Sequence, residues 1–221
     1  MIEPGPQQRF DAESLERNEI LLHSRSYDIK TYRVDASTIR MVGQVVDAKP
    51  AGLLIADDPE DLHIHDMTVT LMVTFPLLEI TAVEVRYAEF PHPECPGISS
   101  AYQALVGQSI AAGFSRFVNQ TLGRERGCTH VGALLKAMAP VAVQTNYSMI
   151  RLPHDEHGPR NDEWTPEQRQ RSMAFTLNSC HIWAEDGPYA QAVANNEPGE
   201  APVWLRNRLT KLGRENELNA R

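Results

Sequence analysis

Four stretches of alternating apolar and polar residues lie between positions 27 and 89, and they constrain this chain more than any other feature. Side chains on a strand point to opposite faces in turn, so alternation predicts a sheet with one face buried. The first two runs are Tyr27 to Val34 and Thr38 to Asp47, separated by the turn-like Asp35-Ala36-Ser37. Residues 48–61 carry Pro50, Gly52 and Pro59 and read as a loop. His63 to Phe75 then sets His63, His65, Met67, Val69, Leu71, Val73 and Phe75 on one face, and Ile80 to Glu89 does the same with Val83, Val85 and Tyr87. Short connections between successive runs predict an antiparallel meander of about four strands.

The pattern changes after residue 90. FPHPECPG is a proline-rich corner that ends strand pairing. Ser100 is an N-cap candidate. Tyr102, Leu105, Val106, Ile110, Phe114, Phe117 and Val118 recur at helical spacing toward a stop at Gly123. Thr129 opens a second helix with Val131, Leu134, Leu135 and Met138 facing inward, which Pro140 is expected to kink or end. Thr165, Pro166 and Gln168 predict a third helix to about Asn178. Strands followed by helices give the α+β class: a four-stranded antiparallel meander followed by three packed helices. The expected organisation is an N-terminal arm over residues 1–18, an α+β domain over 19–187, and a tail over 188–221 with a short amphipathic helix at Val203 to Leu212.

The formal net charge is -8. That opposes nucleic-acid binding, which needs a clustered Lys/Arg field. No apolar run approaches the length of about 20 residues that spans a bilayer, and the N-terminus lacks an apolar signal core, so the expectation is a cytoplasmic protein off the membrane. A small-molecule substrate or a partner protein is the expected ligand. The meander face or the C-terminal amphipathic piece could support a homodimer.

Three cysteines make a poor disulfide framework. Cys95 lies in the corner after the sheet, Cys128 at the start of the second helix, and Cys180 at the end of the third. Each sits at an element boundary, whereas a structural cysteine prefers the core. Histidines lie close by in Cys128-Thr129-His130, in Cys180-His181, and at His92. Thiolate and imidazole are preferred donors for zinc, and thiolates also hold iron–sulfur clusters. Cys95, Cys128, His130, Cys180 and His181 are therefore the metal-ligand candidates, zinc first and an iron–sulfur cluster as the alternative. The spacings of 33 and 52 residues leave any meeting of the cysteines to the fold.

Cys128 has a second reading. Gly127 allows a sharp turn, and the helix beyond presents its positive end, which suits a thiolate as ligand or as nucleophile with His130 as base. His65 and Asp66 are the acid–base candidates, on opposite faces of their strand. His154-Asp155-Glu156-His157 reads as a solvated loop, and Asp47 and Lys49 as ordinary strand-end charges.

Taken in order, Ile64-His65-Asp66-Met67, Cys95, Leu105-Val106-Gly107, Gly127-Cys128-Thr129-His130 and Cys180-His181 resemble the bacterial DUF2889 family over roughly residues 25 to 185. Val131 stands where leucine is expected after the GCTH step. The resemblance implies that His65, Cys95, Cys128, His130 and Cys180 are family positions, and it names no reaction. A fainter likeness is to iron–sulfur scaffolds of the NifU/IscU type. Those place one cysteine after a proline, another in a Gly-Cys step and a third beside a histidine. The functional classes are a Cys/His zinc protein acting on a small molecule as an enzyme or enzyme component, with a metal-dependent hydrolase or lyase as the enzyme type, an iron–sulfur carrier or scaffold, a metal-free thiol enzyme, or a structural subunit.

Overall fold

The computed structural model describes residues 19–111, 113–151, 176–195, 197 and 201–220. The chain falls into two compact units, Met1–Glu156 and His157–Arg221. The first unit opens with four strands: β1 (Ser24–Arg33), β2 (Thr38–Lys49), β3 (Leu62–Thr74) and β4 (Ile80–Glu89). They form one antiparallel sheet in the order β1-β2-β3-β4, the meander expected from the alternation. The α+β class holds as well.

One face of the sheet is apolar. Ile39, Met41 and Val45 on β2 and Met67, Val69, Leu71 and Val73 on β3 are buried at alternate positions. The cover is α2 (Thr129–Arg151), which packs on β1, β2 and β3. Its inward ridge is Val131, Leu134, Leu135, Met138, Ala142 and Met149, all at most 1 % exposed. This spacing of three and four residues is the apolar stripe of an amphipathic helix. Helix α1 (Phe114–Thr121) packs against α2 and buries Phe114 and Val118.

The helix runs through Pro140 to Arg151 rather than ending there. Pro140 is on the exposed side, while the buried residues before and after it stay on the sheet. That packing outweighs a missing hydrogen bond and a steric penalty of about 3 kcal/mol. Helix and sheet approach closely at Gly43, where a Cβ would stand 2.8 Å from Met138 Sδ and 3.1 Å from Leu134 Cδ1. Gly43→Val is accordingly expected to cost about 1–3 kcal/mol by overpacking, read as a lower urea midpoint.

The expected single helix over residues 100–123 is broken in two. A 3-10 stretch occupies Cys95–Leu105, and α1 begins at Phe114. Between them the backbone pairs with the start of β4: Gly107 N donates to Ile80 O at 2.8 Å and Ile110 N to Leu78 O at 2.8 Å. Gly107 and Gly113 take φ of 84° and 82°, values that end a right-handed helix at both sides of this crossing. The apolar positions Tyr102, Leu105, Ile110, Phe114 and Val118 are buried even so.

The second unit contains a 3-10 turn at His181–Trp183, α3 (Pro188–Ala194) and α4 (Val203–Lys211), the last being the expected amphipathic piece. Trp183 and Tyr189 meet edge to face at 5.1 Å between ring centres. The arm over 1–18, the solvated loop expected at His154-Asp155-Glu156-His157 and most of the third helix expected from Thr165 to about Asn178 lie outside the described residues. Among the described residues no helix is long and apolar enough to cross a membrane.

Candidate functional site

The meander register lines up a row of polar side chains at one end of the apolar face. Arg25 on β1 pairs directly with Asp47 on β2, and Asp47 pairs directly with His65 on β3. Cross-strand partners share a face, so all three point toward α2. A bulge follows at once: Ala48 pairs with His63, leaving Ile64 without a partner in the ladder. Tyr87 on β4 stands opposite Met67, the next residue along β3 on the same face as His65.

Asp47 is the centre of this row, and its side chain is 2 % exposed. Arg25 grips it with two hydrogen bonds, Nε donating to Oδ1 at 2.5 Å and Nη2 to Oδ2 at 2.6 Å. His65 Nδ1 lies 3.1 Å from Oδ2, and His130 Nε2 lies 3.2 Å from the same oxygen. His23 Nε2 is 3.6 Å from Oδ1. The His65 and His130 rings stack with centres 3.7 Å apart.

His130 comes from the first turn of α2, whose amino end stands over this row. Cys128 precedes the helix, and its carbonyl accepts the first helical bond from Gly132 N at 2.9 Å. Its own N–H donates to the Tyr102 hydroxyl at 2.8 Å. Its Sγ lies 3.6 Å from His130 Nδ1. Thiol, imidazole and carboxylate therefore stand in line, with Cys128 on one ring nitrogen of His130 and Asp47 on the other.

Electrostatics follow from this packing. The Arg25 hydrogen bonds hold the Asp47 carboxyl below its ordinary 3.8 against the opposing cost of burial. Burial, then repulsion from His65, holds the His130 imidazole below its ordinary 6.5, with Asp47 pulling the other way. Burial pushes the Tyr87 and Tyr102 hydroxyls up. The folded state thus prefers His130 neutral. Its contribution to stability is lost as pH falls below about 6.5, and that of Asp47 below 3.8. Urea midpoints are expected to fall between pH 7 and pH 5. Replacing His130 by asparagine should flatten that slope; an unchanged slope would remove His130 as its source.

A family model described as a protein of unknown function, DUF2889, matches residues 23–144. The chain belongs to the DUF2889 family. No curated protein and no solved structure matches it. The DUF2889 match takes in His23, Arg25, Asp47, His65, Cys95, Cys128 and His130 and ends before Cys180 and His181.

Within this DUF2889 chain the residues singled out from sequence have different fates. His65, Cys128 and His130 come together. Asp66 lies on the opposite sheet face, where its Oδ1 accepts from Gln44 Nε2 at 2.7 Å. Cys95 opens the 3-10 stretch and is part-buried. Cys180 and His181 belong to the second unit and are exposed there. Among the described residues, the group of three ligand-type side chains whose donor atoms fall within 4.8 Å of one another is Asp47, His65 and His130. Asp47 and Arg25, read from sequence as an ordinary strand-end charge and passed over respectively, prove central. The available signal was register: counting outward from the turn at 34–37 sets Arg25 opposite Asp47.

Proposed function

We propose that this protein is a thiol enzyme in which Cys128 attacks an electrophilic carbon, most simply the carbonyl of a small acyl compound. The observation that carries the reading is the contact series Cys128 Sγ to His130 Nδ1 at 3.6 Å and His130 Nε2 to Asp47 Oδ2 at 3.2 Å. A nucleophile within reach of a base, itself oriented by a third group, is the arrangement that activates a weak nucleophile. Asp47 stays ionised against Arg25 and favours the tautomer with the proton on Nε2. That leaves the Nδ1 lone pair toward the thiol. A base held neutral near pH 7 is available to take a proton.

The reaction would proceed in two halves. The S–H proton passes to Nδ1 as the sulfur bonds to the carbonyl carbon. The imidazolium then returns its proton to the leaving group as that bond breaks. Water or another acceptor releases the acyl group from Cys128 by the reverse path. The first-turn N–H groups of α2 have no acceptor within the helix and face the same end, so negative charge on a carbonyl oxygen is favoured there.

The test is acylation by activated esters and thioesters, followed by intact mass and peptide mapping. A single adduct on Cys128 is expected, absent in Cys128→Ser and slowed about 100-fold or more in His130→Asn, within the usual range for loss of a positioned base. Equal modification of Cys95, Cys128 and Cys180, indifferent to His130, would overturn the assignment.

A further inference from the structure

The relay leaves one member of the cluster without a role. His65 brings Nδ1 to the same carboxylate oxygen that His130 approaches, and it does not touch the thiol series. Three nitrogens thus crowd Asp47 Oδ2: Arg25 Nη2 at 2.6 Å, His65 Nδ1 at 3.1 Å and His130 Nε2 at 3.2 Å. A carboxylate oxygen offers about two lone pairs, so three donors cannot all be accommodated well. The two imidazole nitrogens therefore compete, behind the shorter Arg25 contact, for what is left of one oxygen. A cation between them would remove that conflict.

We infer that Asp47, His65 and His130 form a binding site for a divalent first-row transition metal, with Zn²⁺ or Fe²⁺ as the type of ion. Two imidazoles and one carboxylate are the donor set that such ions take while keeping positions open. Ligand atoms bonded at about 2.1 Å in tetrahedral or octahedral geometry lie about 3.0–3.4 Å from one another. The two contacts of Oδ2 to the histidines, 3.1 and 3.2 Å, fall within that span. Support behind the ligands is already in place. Arg25 orients the carboxylate from behind through its two hydrogen bonds. Cys128 itself is not a ligand here, because the two ring nitrogens of His130 point in different directions. The zinc expected from the sequence would therefore be held by nitrogen and oxygen rather than by sulfur.

The site stands independently of the thiol chemistry, but the two share His130 Nε2 and Asp47. Where the thiol reading holds, metal occupancy and the relay exclude each other, and the ion acts as an inhibitor.

The experiment uses the full chain, freed of metal by chelation and carrying no affinity tag. Titration with Co²⁺ alone is expected to give one equivalent bound, ligand-field bands in the visible, and no sulfur-to-cobalt charge-transfer band. His65→Ala and His65→Asn should each weaken Co²⁺ binding by more than the about 10–100-fold usual for losing a group behind a ligand, while keeping the wild-type circular dichroism. Cys128→Ser should leave affinity within about twofold. An intense sulfur band, loss of binding in Cys128→Ser, or unchanged binding in both His65 variants would each overturn the site. In a second arm, stoichiometric Zn²⁺ should protect Cys128 from iodoacetamide in the wild type and not in His65→Ala. Absence of Co²⁺ binding with selective Cys128 labelling would sink the metal site and keep the thiol reading. One bound Co²⁺ with Cys128 no more reactive than Cys180 would do the opposite.

Discussion

Replacing Asp47 by alanine is expected to lower stability by about 2–4 kcal/mol and to cut the selective acylation of Cys128 by about 100-fold or more. Breaking a buried ion pair by removing one partner costs about 3–5 kcal/mol, because the other charge stays behind. Here the Arg25 side chain is 33 % exposed, so water offsets part of that cost and the lower range applies. The loss of reactivity has a separate origin. Without the carboxylate, His130 loses the group that selects its tautomer and keeps Nδ1 open to the thiol. Asp47→Asn separates the two effects. It keeps the shape and some hydrogen bonding, so its stability loss should be smaller, while its loss of acylation stays near that of alanine. Urea denaturation and mass-resolved labelling measure the two quantities on the same samples. Retained labelling in Asp47→Asn would show that the carboxylate charge plays no part.

The other large effect is expected at Gly127. A Cβ built there would lie 2.2 Å from the Leu122 carbonyl oxygen and 3.1 Å from its carbon. The obstacle is backbone rather than the flexible end of a side chain, so the chain itself must move. Gly127→Ala is expected to cost about 3 kcal/mol or more, in the upper range for overpacking. Any movement is passed to Cys128, the next residue, whose N–H rests on the Tyr102 hydroxyl at 2.8 Å. Selective acylation should therefore fall together with stability. Tyr102→Phe removes only that anchor and should lower acylation with a smaller change in the urea midpoint. A Gly127→Ala protein with wild-type stability and labelling would mean that the turn does not hold the thiol in place.

The Gly-Cys step was readable as a turn leading to a helix start, but its cause was not. The conformation of Gly127 is extended, with φ of −167°, so no left-handed backbone calls for glycine. Space against Leu122 does, and sequence does not show that contact. The four strands were legible because alternation and turn residues are local signals. The helix expected over 100–123 failed because Gly107 and Gly113 interrupt an apolar period that burial alone would satisfy. Asp47 was missed for a related reason. An aspartate beside a strand end resembles a solvated charge until its partner, 22 residues earlier, is placed across from it. His65 and His130 were picked out as separate candidates. Their stacking depends on how α2 lies over the sheet, which no local pattern encodes.

The meander has a further consequence for the order in which the centre is assembled. Each strand pairs with its neighbour in sequence, so the sheet closes only short loops. Arg25, Asp47 and His65 meet as soon as β1, β2 and β3 zip together. Cys128 and His130 arrive by a much longer loop closure, when α2 docks across the same strands. Contacts between distant residues form late, because chain entropy must be lost before they reward it. A nascent chain would thus hold the carboxylate and its arginine in place before Cys128 reached them, and the proposed chemistry would switch on with the docking of α2.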